Sequence, residues 1–132
     1  MKNWKEHITQ GNQYFLNQDY EAARLEYENA RVLAEQTFVE PGEPSEAVFA
    51  VIVTYHNLAD LYQKQGYTKM ARLALETVHH QVLRAVAATS VHSTRHAALY
   101  RGAKLTYAAL MNHKRCHLLP SSQRVELSRA EK

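Results

Sequence analysis

The chain has 132 residues, a length that fits one domain with enough bulk to bury its own core without disulfides or metals as staples. Four Gly, three Pro and 45% apolar residues exclude a low-complexity or disordered chain, and the single Cys116 excludes an internal disulfide. The net charge of +3 hides an asymmetry: residues 1–66 carry net −5, residues 67–132 carry net +8, and no acid falls between Glu76 and Glu126.

Apolar and small residues recur at helical spacing nearly throughout, and no segment alternates as a half-buried strand must. Trp4, Ile8, Gly11 and Phe15 mark a first helix, and Tyr20, Ala23, Tyr27, Ala30, Ala34 and Phe38 a second. Between them Asn17-Gln18-Asp19 forms a break in which Asp19 is an N-cap candidate. The strongest break is Glu40-Pro41-Gly42-Glu43-Pro44-Ser45, with Ser45 as the expected cap of a third helix striped by Val48, Ile52, Tyr55, Ala59 and Tyr62. Gly66 is expected to close that helix in the left-handed region, and Thr68 to cap a fourth marked by Ala71, Leu75, Val78, Val82 and Ala85. Ala88-Thr89-Ser90 and Ser93-Thr94 separate it from a fifth, whose expected buried stripe is Ala98, Gly102, Leu105 and Ala109. Pro120-Ser121-Ser122 opens either a short C-terminal helix or a frayed tail. Short connections between amphipathic helices make antiparallel neighbours.

Two stretches repeat. Gly11 pairs with Ala59, Tyr14 with Tyr62, Ala23 with Ala71, Tyr27 with Leu75 and Ala30 with Val78, every pair separated by the same interval along the chain. A small residue on one helix lets its partner approach, and a large one fills the space beside it. This pattern, over roughly residues 4 to 80, resembles the tetratricopeptide repeat, and Tyr55 to Ala71 is most similar to the longer-helix version found in kinesin light chains. The interval from Gly11 to Ala59 is longer than that family's period of about 34 residues. His7 stands where the family usually has Trp, with Trp4 one turn earlier.

The resemblance implies an all-α, right-handed superhelix of antiparallel helix pairs. Residues 1–117 would form about two and a half pairs, and 118–132 a short helix or flexible tail. It also implies a concave groove lined by the first, third and fifth helices. The expected groove residues are Lys5, Ile8, Thr9 and Asn12, then His56, Asn57 and Asp60, then Arg101 and Lys104. Asn12 and Asn57 fall where some members of the family use two Asn to hold a C-terminal carboxylate, although Ile8 replaces a Lys of that arrangement.

Other chemistry is less supported. His92/His96 and His113/His117 have the four-residue spacing that puts two ligands on one helical face. The two pairs would lie roughly 30 Å apart along one helix, too far to share an ion, so no metal site and no cofactor are expected. Glu21, Glu26, Glu28 and Glu35 read as the outer face of the second helix. With no phosphate loop and no nucleophile elbow, the chain is not expected to be an enzyme. The basic stretch, with Tyr100 and Tyr107, leaves nucleic-acid or anion binding open, and the opposite charge of the halves leaves self-association open. The leading expectation is a protein- or peptide-binding adaptor or chaperone-like module, with a basic half that suits an acidic partner. The N-terminus lacks the apolar run of a signal peptide and no stretch reaches the roughly 20 apolar residues of a membrane span, so a cytoplasmic location is expected.

Overall fold

A computed structural model describes residues 1–39 and 44–118, among which every regular element is a helix. These are α1 (Trp4–Leu16), α2 (Tyr20–Val39), α3 (Pro44–Lys64), α4 (Thr68–Ala88) and α5 (Thr94–Leu118). The expected C-terminal segment from Pro120, and most of the Pro41-Gly42 break, lie outside the described residues. α1 and α2 form one antiparallel hairpin, α3 and α4 a second. α2 packs on α3, and α5 lies against both α4 and α3.

The repeat is present in the backbone itself. At the first turn Asn17 N–H donates to Gln13 O, Gln18 N–H to Phe15 O and Asp19 N–H to Tyr14 O; at the second, Gln65, Gly66 and Tyr67 donate to Leu61, Gln63 and Tyr62. Every donor and acceptor is displaced by the interval that separates Gly11 from Ala59. Both are Schellman endings, with a left-handed residue that frees the next N–H to reach back into the last turn. Gly66 takes that position at φ +85°, as expected, and Gln18 takes it at φ +63°. The left-handed region costs an L-residue about 1–2 kcal/mol, which glycine avoids. Gln18→Gly is therefore expected to stabilise the protein by about 0.5–1 kcal/mol, after the added freedom of the unfolded chain is deducted. A urea-unfolding midpoint at or below that of the parent would contradict this.

The capping expectations divide. Asn3 forms a capping box with Glu6 at the start of α1, and Asp19 Oδ1 accepts from Ala22 N–H at 3.4 Å. Thr68 is not a cap. Tyr67 holds that place without a side-chain bond, its backbone N–H donating to Tyr62 O as Asp19 N–H does to Tyr14 O. Ser45 is not the cap of α3 either, since the helix begins one residue earlier at Pro44, a residue whose fixed φ suits a first turn.

The small-residue locks are in place. Gly11, Ala23, Ala30, Ala59 and Ala71 are all buried, as are Tyr27, Leu75 and Val78. The Tyr27 ring lies directly over Gly11, and its hydroxyl donates to Asn12 Oδ1 at 2.6 Å. Ile8, Ala23, Tyr27, Ala30, Leu58 and Leu61 make one apolar cluster between the first hairpin and α3. A larger one, centred on Val51, Val78, Val82 and Leu99, joins α3, α4 and α5. Trp4 and Tyr62 border both. The Trp4 indole N–H donates to Thr54 Oγ1 at 2.7 Å, tying α1 to the fully buried Thr54 of α3.

α5 corrects its expected stripe. Ala98 and Gly102 are buried, but Leu105 is exposed, and the inner row continues through Thr106 and Leu110. Gly102 lies so close to α3 that a Cβ there would meet Val48 Cγ1 at 2.8 Å and Ile52 Cδ1 at 2.9 Å. Thr106 is satisfied by its neighbours: its Oγ1 lies 3.1 Å from Ala103 O and 2.7 Å from His79 Nδ1. His79 is buried, and burial together with the nearby His80 pushes its pKa down, so the ring is neutral at pH 7.

Candidate functional site

α3 runs through the middle of the molecule, and one stripe of it stays open. Ser45, Val48, Phe49, Ile52, Val53, His56, Asn57 and Asp60 follow the three-and-four spacing of a single helical face, roughly 22 Å long at 1.5 Å per residue. Two cavities lie along it. The first, of about 390 Å³, opens between α3 and α5, and Ala98, Arg101, Gly102 and Leu105 form its second wall. The second, of about 310 Å³, opens where α1 and α2 meet the end of the stripe, and is lined by Asn12, Phe15, Leu16, Tyr27, Asn57 and Asp60. Gly102 lets α5 approach α3 closely at the edge of this cavity, because a Cβ there would collide with Val48 and Ile52.

The expected groove residues divide between these two clefts. Asn12, Asn57 and Asp60 come together in the second, His56 and Arg101 in the first. Lys5 is exposed on α1 and lines neither. Thr9 is also exposed, its hydroxyl donating to Lys5 O. Lys104 lies over the Tyr100 ring at 4.8 Å, away from both clefts. Ile8 is a correction: it is buried beneath α1 in the Tyr27 cluster, one turn from Gly11 and on the same inward face, so it offers nothing to a ligand.

Sequence reasoning missed Phe49, Val53 and Leu105. Phe49 and Leu105 are each 61% exposed, as no core residue would be, and both line the first cleft. The Trp4 ring meets Phe49 edge-on at 6.4 Å between centroids, so the only tryptophan of the chain borders this wall. Continuing the His56–Asp60 stripe upstream by threes and fours would have reached Phe49 and Val53. No such rule reaches Leu105, which sits on another helix.

Electrostatically the stripe is unfinished. Among the described residues, the side chains of His56, Asn57, Asp60 and Arg101 have no intramolecular hydrogen bond or ion pair. His56 Nε2 is buried without a partner, and burial pushes the His56 pKa down, leaving a neutral ring at pH 7. Asp60 is exposed at the surface, and partial desolvation by the surrounding protein pushes its pKa up.

The acids of α2 differ. Glu21 pairs with Arg24, Glu28 with Arg31, and Glu26 reaches Lys2 and His7 of α1. Glu35 joins Arg31, Tyr55 and Gln81. Glu26 and Glu35 thus link helices, where the sequence had put them on an outer face. In the basic half, Arg95 binds Phe38 through both its carbonyl and its ring, and Tyr100 already stacks on His96. His92 lies in the turn before α5, so it does not share a helical face with His96, and His113 is within 3.1 Å of Gln63 Oε1. No group of three or more His, Cys, Asp or Glu able to hold a metal occurs among the described residues, and none of their helices is long and apolar enough to cross a membrane.

No curated protein and no solved structure matches this chain. A family model does, over residues 2–130, and on that match the chain belongs to the family described as protein of unknown function (DUF2753).

Proposed function

We propose that this protein is a tetratricopeptide-like repeat module that binds an extended peptide of a partner protein along the open stripe of α3, between α1 and α5. The observation that carries the reading is the convergence of two mainly apolar clefts with three unpartnered polar side chains on one face of α3, His56, Asn57 and Asp60, and a fourth, Arg101, facing them from α5. A buried polar group without a partner costs free energy that a bound ligand's hydrogen bonds can recover. Cavities of this size with few polar groups are typical of recognition sites. The matching backbone bonds at the two hairpin turns support a stack of like-oriented hairpins, the arrangement that gives such a groove. The module acts as a cytoplasmic adaptor or chaperone-like protein and catalyses no reaction. The internal pairing of the α2 acids argues against self-assembly driven by the opposite charge of the two halves.

Selection of a phage-displayed random nonapeptide library tests this. The wild type is expected to enrich a binding motif. Asn57→Trp, which fills the second cleft from an incompletely buried position, is expected to abolish that enrichment. Glu21→Lys, on the exposed flank of α2, should leave it unchanged. A wild-type protein that enriches nothing above an empty support would remove the reading.

A further inference from the structure

The two clefts differ in the charge they present, and this gives the groove a direction. In the first, Arg101 carries a guanidinium with no intramolecular hydrogen bond or ion pair, beside walls that are apolar. In the second, Asp60 carries a carboxylate with no cation paired to it, next to Asn12 and Asn57. In the same cleft as Arg101, Phe49, Val53 and Leu105 frame an apolar space that admits a large side chain. Asp60 follows His56 by one helical turn, roughly 6 Å, so a single short peptide reaches all three features.

From this charge complementarity we infer that the bound peptide is bipolar: a carboxylate pairs with Arg101, an adjacent large apolar side chain fills the α3–α5 cleft, and a cationic side chain meets Asp60. The inference rests on the peptide-binding reading and adds to it the order of charges. Guanidinium suits a carboxylate because it offers paired N–H donors in a plane. A peptide ammonium or guanidinium near Asp60 supplies the positive charge that the protein itself withholds there. An all-acidic peptide would set a like charge against Asp60, and an all-basic one against Arg101, so the wrong partners are rejected by repulsion.

The test compares motifs selected from the same nonapeptide library by the wild type and by the charge-reversed double variant D60K/R101E, with circular dichroism checking that helix content is kept. The wild type is expected to select an acid, a large apolar residue and a base in fixed order, and the double variant the inverse order. Resynthesised and measured by fluorescence anisotropy, the wild-type peptide should bind R101E at least about tenfold more weakly, the scale of a lost charged hydrogen bond. If the reversed protein does not fold, D60N and R101Q replace it, and each should lose selection for the base or the acid alone. A motif without charge order, or one unchanged by these substitutions, overturns the inference while leaving peptide binding intact. An absence of any enriched peptide overturns both.

Discussion

Gly11→Ala is expected to destabilise the protein by about 1–2 kcal/mol, although the same change inside an ordinary helix stabilises by about 1 kcal/mol. The reason is steric. A Cβ at Gly11 would lie 2.5 Å from Tyr27 Cε1 and 2.7 Å from Cδ1. The ring is only 2% exposed, and the bond from its hydroxyl to Asn12 holds its far end, so it has nowhere to swing. Overpacking of this kind costs about 1–3 kcal/mol and outweighs the gain in helix propensity. The second hairpin supplies the control, because Ala59 and Leu75 stand one repeat on from Gly11 and Tyr27. Gly11→Ala combined with Tyr27→Leu copies that pair into the first hairpin. Its loss, measured by urea unfolding in a double-mutant cycle, should be smaller than the sum of the two single losses. Strict additivity would show that the glycine and the tyrosine are not a coupled lock.

Much of this was legible from sequence because the information is local or periodic. The pairing of Gly11 with Ala59 and of Tyr27 with Leu75 fixes which faces meet within each hairpin, and all four are buried. Asn12, Asn57 and Asp60 are residues that the tetratricopeptide resemblance assigns to one groove, and they line one cleft. α5 was harder. Ala97, Ala98, Leu99, Gly102, Ala103, Leu105, Ala108, Ala109 and Leu110 put small or apolar residues on several sides of it. With no clear polar face, periodicity could not choose Thr106 over Leu105 for the inner row, and so the wall of the first cleft stayed hidden. Ile8 failed for the opposite reason: apolar residues beside a close helix contact are drawn inward. Glu35 was misplaced because a charge on an amphipathic helix looks solvated until its partners, 20 and 46 residues away, are known.

Those partners give Glu35 contacts on three helices, α2, α3 and α4. Its Oε2 accepts from Tyr55 Oη and from Gln81 Nε2, each at 2.7 Å, and its Oε1 accepts from Arg31 at 2.7 Å. One carboxylate thereby joins α2 to both helices of the second hairpin. Burial alone would raise its pKa; the hydrogen bonds from Tyr55 and Gln81 and the charge of Arg31 outweigh that and hold it below the ordinary 4.5. Burial, and then the carboxylate beside it, push the Tyr55 phenol up to about 12. Glu35→Gln keeps the shape but puts a neutral amide among these donors, so a loss of about 1–2 kcal/mol is expected at pH 7, discounted for the partial exposure of the group. The sign with pH follows from the lowered value. The folded protein holds the carboxylate ionised more strongly than the unfolded chain does, so this stability is fully present above pH 4.5 and is lost as pH falls through the folded pKa. Thermal unfolding of wild type and Glu35→Gln should therefore differ most near neutrality and converge once the pH falls below the lowered folded-state pKa of Glu35. A constant offset across that range would mean that packing rather than charge gives Glu35 its weight. Because Tyr55 faces α2 and α4 while the open stripe of α3 faces α1 and α5, the same substitution should leave the charge order of selected peptides unaltered, separating what holds the two hairpins together from the peptide binding proposed for the α3 stripe.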